Sequence, residues 1–268
     1  MIDDSADTIA VVCPTFNSQA FIERTLKSIF SQTIPVNEII ISDDGSTDET
    51  LVTVEKIFAR YNGNAKCRLL KNNHNGPGAT RNKGILDAKS SWIAFIDSDD
   101  TWEDDKVEEV LQVINKKPNI NFICHNEYRI NTNKKKTVID CSSRYVPLKS
   151  ITDQLYWSNL FSTSAVICKR SLLIKRGIFD ESLMSIQDYE LWLRLSPYIS
   201  VFFINKTLGT YIERKGNITS NNTIRRFINE FITLFRHRHL VSVISILIRI
   251  PKLILSHMYH LFRKFFLT

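Results

Sequence analysis

The first hundred residues constrain the fold most, because short apolar runs alternate there with stretches of helical periodicity. Residues 9–13 (IAVVC), 38–42 (EIIIS), 67–70 (CRLL) and 92–96 (WIAFI) are too short for helices and read as buried strands. Between them, Phe21, Ile22, Leu26, Ile29 and Phe30 fall on one helical face, as do Leu51, Val54, Ile57 and Phe58. A third helix is expected near residues 79–88. Ser46 and Glu49 occupy the reciprocal positions of a capping box ahead of the second helix. Strand and helix alternating in this way predict an α/β fold, with a mostly parallel sheet and helices on both faces.

Downstream the pattern loosens. Residues 106–115 read as a helix, 121–125 and 165–168 as strands, and 131–136 as a solvated polar turn. A helix over 189–195 stops at Pro197, and short strands follow at 201–204 and 209–212. The N-terminus has neither the basic nor the apolar segment of a signal peptide. Five scattered cysteines, never spaced as C-x-x-C, read as free thiols and hold no zinc pattern. Together these predict a cytoplasmic chain.

Charge is unevenly distributed. The chain carries a net +7, but residues 223–268 hold eight Lys and Arg against Glu230 alone, which leaves 27 charges of each sign in residues 1–222. The basic residues of the tail are embedded in Phe, Leu and Ile, so nucleic acid is excluded as a partner and an anionic membrane surface is expected. The uncharged runs at 240–248 and 253–262 are shorter than the roughly 20 apolar residues of a spanning helix. Amphipathic helices lying on the inner face of the cell membrane fit better. We therefore divide the chain into a body, residues 1–222, and a basic amphipathic tail, residues 223–268.

In an open parallel sheet, ligands bind beyond the C-terminal ends of the strands. Three of the predicted strands end there in small or acidic residues: Pro14, Thr15 and Phe16; Asp43 and Asp44; Asp97, Ser98, Asp99 and Asp100. Clustered carboxylates repel unless a cation neutralises them. Asp97 and Asp99, two apart at a strand end, can turn toward one point and offer hard oxygen ligands to Mn²⁺ or Mg²⁺. Asp188 opens a helix, where a carboxylate is also a good N-cap.

Six segments together resemble the glycosyltransferase family 2 domain with its GT-A, Rossmann-like fold: CPTFN (13–17), ISDDGSTDET (41–50), GPGATRNKG (76–84), FIDSDD (95–100), GIFDE (177–181) and QDYELWLR (187–194). The resemblance covers about residues 8–220. It implies that Pro14, Thr15 and Phe16 border the nucleotide and that Asp44 accepts a hydrogen bond from the base. It implies Arg81 beside the diphosphate, with Asp97 and Ser98 near ribose or sugar. Asp99 becomes the direct metal ligand, with Asp97 beside it, and Asp188 the general base of an inverting transfer. The run 161–164 stands where the family often meets acceptor, and Arg214 or Lys215 where a closing loop could reach the diphosphate. Gln187 departs from the Glu common before the base. A UDP-linked hexose as donor, and a lipid-linked glycan of O-antigen, capsule or exopolysaccharide synthesis as acceptor, follow as expectations from the resemblance alone. The alternative is a non-catalytic sugar-nucleotide-binding scaffold of a membrane glycan-assembly complex. The presence of Asp97, Asp99 and Asp188 speaks against it.

Overall fold

The computed structural model describes residues 7–183, 185–214 and 223–266. Its centre is a nine-stranded mixed sheet. The first half is the predicted parallel unit: β1 (Ile9–Thr15), β2 (Glu38–Asp43), β3 (Lys66–Lys71) and β4 (Trp92–Phe95), in the order β3-β2-β1-β4 and parallel throughout. The connecting helices are α1 (Ile22–Phe30), α2 (Thr50–Arg60) and α3 (Gly76–Asp87). β1 and β2 are buried along their whole length, which is why they read as unbroken apolar runs. Pro14 does not end β1 as its position suggests. β4 pairs with β1 only as far as Val12, so the ring of Pro14 costs no ladder bond on that side.

The capping box at Ser46 and Glu49 does not form. The Ser46 hydroxyl goes to Asp43 Oδ1 at 2.5 Å, and Asp48 Oδ1 instead accepts the Thr50 backbone N–H at 3.0 Å at the start of α2. α3 begins three residues earlier than expected because Gly76, at φ 87°, makes the sharp entry.

Beyond β4 the sheet is largely antiparallel. β8 (Val166–Lys169) pairs antiparallel to β4 and to β6 (Phe122–Ile130). β6 pairs parallel to β9 (Val201–Ile212), and β9 carries the two-residue β5 (Thr101–Trp102) on its far edge. The strands expected at 201–204 and 209–212 are one strand, interrupted in register opposite His125 and Asn126. β7 (Lys136–Ile139) forms a hairpin with β6, whose tip is the predicted polar turn. α4 (Lys106–Lys116), the short α5 (Cys141–Arg144), α6 (Ile151–Trp157), α7 (Arg170–Arg176) and α8 (Gln187–Leu195) cover the sheet. All five cysteines are free.

The tail consists of α9 (Thr223–Arg236) and α10 (Val243–Phe266). It does not stand apart from the body. Leu234 and Leu253 are buried in the same core as Trp192 and Phe95. His237 contacts Glu190 of α8 at 2.9 Å, Arg249 Nε donates to the Tyr156 carbonyl at 3.2 Å, and Arg236 contacts Asp180 at 2.6 Å. The opposite face of α9 exposes Ile224, Ile228, Ile232 and Phe235, and α10 exposes Val243, Ile244, Leu247 and Leu255. Among the described residues no helix is long and apolar enough to cross a membrane.

Candidate functional site

The strand order β2-β1-β4 sets three acidic or polar strand ends side by side, about 5 Å apart from strand to strand. At the end of β4, the backbone of the 97–100 turn is held on both sides. Thr25 Oγ1 of α1 donates to the carbonyls of Ser98 and Asp100, at 2.9 and 2.8 Å. Ser98 Oγ meets Ser18 Oγ at 2.7 Å, and the Asp97 backbone N–H donates to Ser164 Oγ at 3.0 Å. Asp100 is buried and accepts from Ser164 Oγ at 2.6 Å and from the Ile212 backbone N–H at 3.1 Å, so it serves the turn rather than a ligand.

Asp97 and Asp99 each face an arginine. Arg81 of α3 donates to Asp97 Oδ1 at 2.6 Å, and Arg214, just past β9, donates to Asp99 Oδ2 at 2.5 Å. Burial and the neighbouring Asp97 charge raise the pKa of Asp99, against the pull of Arg214. The two carboxylates therefore repel, which is the condition a divalent cation relieves. Among the described residues no group of three or more His, Cys, Asp and Glu side chains could hold a metal unaided. The donor set still fits Mg²⁺ or Mn²⁺, which are usually bound by one or two carboxylates plus substrate phosphates and water. Arg81 has a buried Nε without a partner among the described residues, a donor left over for a ligand oxygen.

Asp188 lies in the first turn of α8, where the helix dipole favours a carboxylate. It is not the N-cap; Ile186, in the left-handed conformation at φ 55°, holds that place. Its Oδ2 accepts from Asn159 Nδ2 at 3.2 Å. Burial raises its pKa, against the Tyr189 backbone N–H and the Arg81 charge, while the Asp97 charge adds to the rise. Gln187 is buried against Gly78, where an added Cβ would lie 3.0 Å from its Cδ, and bonds to the Leu183 carbonyl, so it packs two elements together.

At the other end of the row, the side chains of Pro14 and Thr15 are buried, and the Thr15 hydroxyl is committed to Asp43 at 3.0 Å. Asp43 is occupied by its own turn and by Thr15, accepting also from the backbone N–H groups of Gly45 and Ser46. Asp44 accepts from the N–H groups of Asn75 and Gly76, at 2.9 and 3.0 Å, and contacts His74 Nδ1 at 2.9 Å. Phe16 is 44% exposed and stacks on His74 with ring centroids 4.4 Å apart.

The sequence motifs did not single out His74, Asn159, Ser18 or Lys106. The 161–164 run is turned inward: Phe161 is in the core and Ser164 supports the 97–100 turn, so neither side chain is available to an acceptor. Trp102 is core, under the Lys106 ammonium. Lys215 lies outside the described residues.

Comparison with known proteins places this arrangement. The chain is 28% identical over 221 residues to an uncharacterized glycosyltransferase of Haemophilus influenzae, covering 80% of this chain and 72% of that one. It is 28% identical over 205 residues to the chondroitin synthase of Escherichia coli, covering 74% of this chain but only 28% of that protein. The fold superposes on S. aureus TarS residues 1–349 in complex with UDP-GlcNAc with a TM-score of 0.68 at 23% identity, over 86% of this chain and 66% of that one. It superposes on the mannosyltransferase PcManGT of Pyrobaculum calidifontis, in complex with GDP-Man and Mn2+, with a TM-score of 0.65 at 18% identity, over 87% and 67%. These likenesses show the GT-A fold. The family model described as "Glycosyl transferase family 2" matches residues 10–183, well over half of the chain. The chain belongs to glycosyl transferase family 2.

Proposed function

We propose that this glycosyltransferase moves a hexose from a UDP-sugar, with inversion, to a hydroxyl of a lipid-linked glycan at a membrane surface. The observation that carries the reading is the row of Arg81, Asp97, Asp99 and Arg214 at the C-terminal end of a parallel strand, with Asp188 in the first turn of α8. TarS with UDP-GlcNAc and PcManGT with GDP-Man and Mn2+ support a nucleotide-sugar donor and a divalent ion. The chondroitin synthase supports polysaccharide synthesis as the context.

Asp99 and Asp97 would hold the ion, which when bound offsets charge on the leaving diphosphate. Arg81, with a donor to spare, and Arg214 supply further positive charge to the same oxygens. Phe16 offers an exposed aromatic face to the base. Asp44 has two oxygens and about four lone-pair positions, three of them used within the chain, so one remains for an N–H of the base. Ser98 shapes the turn beside the sugar. Asp188 takes the proton of the acceptor hydroxyl as that oxygen bonds to C1 and the C1–O bond to the diphosphate breaks with its electron pair. Attack from the opposite face inverts C1. The acceptor-side test is direct. Asp188→Asn should lower transfer from radiolabelled UDP-hexoses to polyprenyl-diphosphate-linked oligosaccharide by about 10²–10⁴-fold, with UDP binding unchanged. Transfer retained within threefold would exclude Asp188 as the base.

The exposed apolar face of α9 and α10, rimmed by Arg225, Arg226, Arg238 and Lys252, is our proposed membrane seat. Because Leu234 and Leu253 are core residues, removing the tail would open the body and is a poor test. Ile244→Glu with Leu247→Glu, at positions 69% and 67% exposed, should abolish pelleting with phosphatidylglycerol vesicles without altering the circular dichroism. Undiminished pelleting would refute the seat.

A further inference from the structure

A cluster of buried polar side chains behind the 97–100 turn is not used by the proposed chemistry. Lys106, at the first position of α4, is 1% exposed. Its ammonium donates to the Ser164 carbonyl at 2.9 Å and stands 3.8 Å from the centre of the Trp102 ring. Ser164 is also the residue whose hydroxyl takes the Asp97 N–H and gives to Asp100, and Asp100 in turn takes the N–H of Ile212, two residues before Arg214. One chain of hydrogen bonds thus runs from Lys106 to both halves of the site, the 97–99 turn and the strand end carrying Arg214.

The opposing charge comes from β6. Glu127 is fully buried, and in the sheet Gly209 lies between it and Trp102, paired with both. A Cβ at Gly209 would sit 3.3 Å from Glu127 Oε1 and 3.4 Å from His125 Cε1, so the missing side chain leaves room for this group of polar atoms. Ser162 is the hydrogen-bonding side chain nearest Glu127, while His125 Nε2 and Trp102 Nε1 have no hydrogen-bond partner among the described residues. These are the conditions under which ordered water bridges buried polar groups. Burial pushes the Glu127 carboxyl up, against the Ser162 hydrogen bond and the Lys106 charge, and pushes the Lys106 ammonium down, against the Glu127 charge. The two charges interact without forming a direct ion pair, and buried opposite charges are a weak source of stability whose best-attested use is to specify one arrangement. A lysine at a helix N-terminus also runs against the helix dipole, so its place in α4 is not explained by helix stability.

We propose that Lys106 is a positioning residue: with Glu127 as its counter-charge, it fixes Ser164 and thereby the spacing between the 97–99 turn and the Arg214 strand end. The proposal deepens, and rests on, the reading of that turn as the donor site. Its test therefore has one readout that needs no ligand. In Lys106→Met, and in Lys106→Met with Glu127→Gln, where Glu127 is not left as an uncompensated charge, amide hydrogen exchange at Ile212 and Asp97 should rise at least tenfold. Amides of β2 and β3 should stay unchanged. Mn²⁺-dependent UDP binding should weaken about tenfold in the same variants. Ser164→Ala should raise Ile212 exchange similarly and add nothing to Lys106→Met. Unchanged exchange at Ile212 and Asp97 in the folded double variant would overturn the proposal, as would additive effects of Lys106→Met and Ser164→Ala. A rise spread evenly over β2 and β3 would overturn it too, since that reports global destabilisation. If the wild type bound no UDP with Mn²⁺, the donor reading would fall, while the exchange result would still decide the role of Lys106 in holding the turn.

Discussion

Arg214→Gln should have opposite effects on two ligands of the same site. In the absence of nucleotide, Arg214 is the cation on Asp99, at 2.5 Å, with the Asp99 side chain 11% exposed and that of Arg214 35% exposed. An exposed ion pair contributes about 0.2–1 kcal/mol and a hydrogen bond to a buried charge about 1.5–3 kcal/mol. With solvent screening of the half-open arginine, this pair falls near 1 kcal/mol. A metal ion binding to Asp99 must displace or share that arginine. Removing it should tighten Mn²⁺ alone by about fivefold, the factor that ~1 kcal/mol corresponds to. With UDP present the sign should reverse. Arg214, released from Asp99, has the diphosphate oxygens as its next partner, and losing a charge-assisted contact should weaken UDP by roughly tenfold. The free Mn²⁺ signal in electron paramagnetic resonance reads the first quantity, and calorimetric titration of UDP in saturating Mn²⁺ reads the second. If both affinities rose, or both fell, the account of Arg214 as a cation shared between carboxylate and diphosphate would be wrong.

Three further outcomes follow from the same geometry. Leu234→Ala, at a wholly buried position joining α9 to the core, should cost about 2–5 kcal/mol in urea unfolding; a cost below about 1 kcal/mol would mean that the tail is not docked. Burial raises the pKa of Asp188, so the acidic limb of the rate profile should lie above the usual aspartate value of about 3.9, with activity rising as pH climbs through it. A limb at or below that value would remove Asp188 from the rate law. Burial would raise the pKa of Glu190, but the hydrogen bonds from His237 and Arg194 outweigh it and the net shift is downward. Its contribution to stability is thus complete above the unfolded value of about 4.3 and lost as pH falls through the lower folded value. Wild type and Glu190→Gln should then differ in Tm at pH 7 and converge in strong acid.

The parallel half of the fold was legible because β1, β2 and β4 are buried on both faces and leave unbroken apolar runs. β5 is two residues long and exists only because β9 passes beside it, and no local pattern encodes that. β9 was read as two strands because residues 205–207 interrupt the run where its register shifts. Within the site, the residues carrying charge were visible from motif and position. The residues that hold them were not. Ser18, Ser164 and Asn159 are small polar residues far away in sequence, and their roles arise only from tertiary contact. Lys106 alone left a trace, a basic residue at a helix N-terminus. The tail was divided from the body on composition. Its outward face exposes apolar side chains, and its inward face, with Leu234 and Leu253, belongs to the body.

The most direct test of the account is calorimetric titration of UDP, GDP, CDP and dTDP, with and without Mn²⁺, into the wild type and Asp99→Ala. The account predicts that UDP binds, that binding requires Mn²⁺, and that Asp99→Ala abolishes it while the variant still unfolds in one cooperative thermal transition. Failure of every nucleotide to bind the wild type with Mn²⁺, or equal binding of UDP to Asp99→Ala, would contradict it.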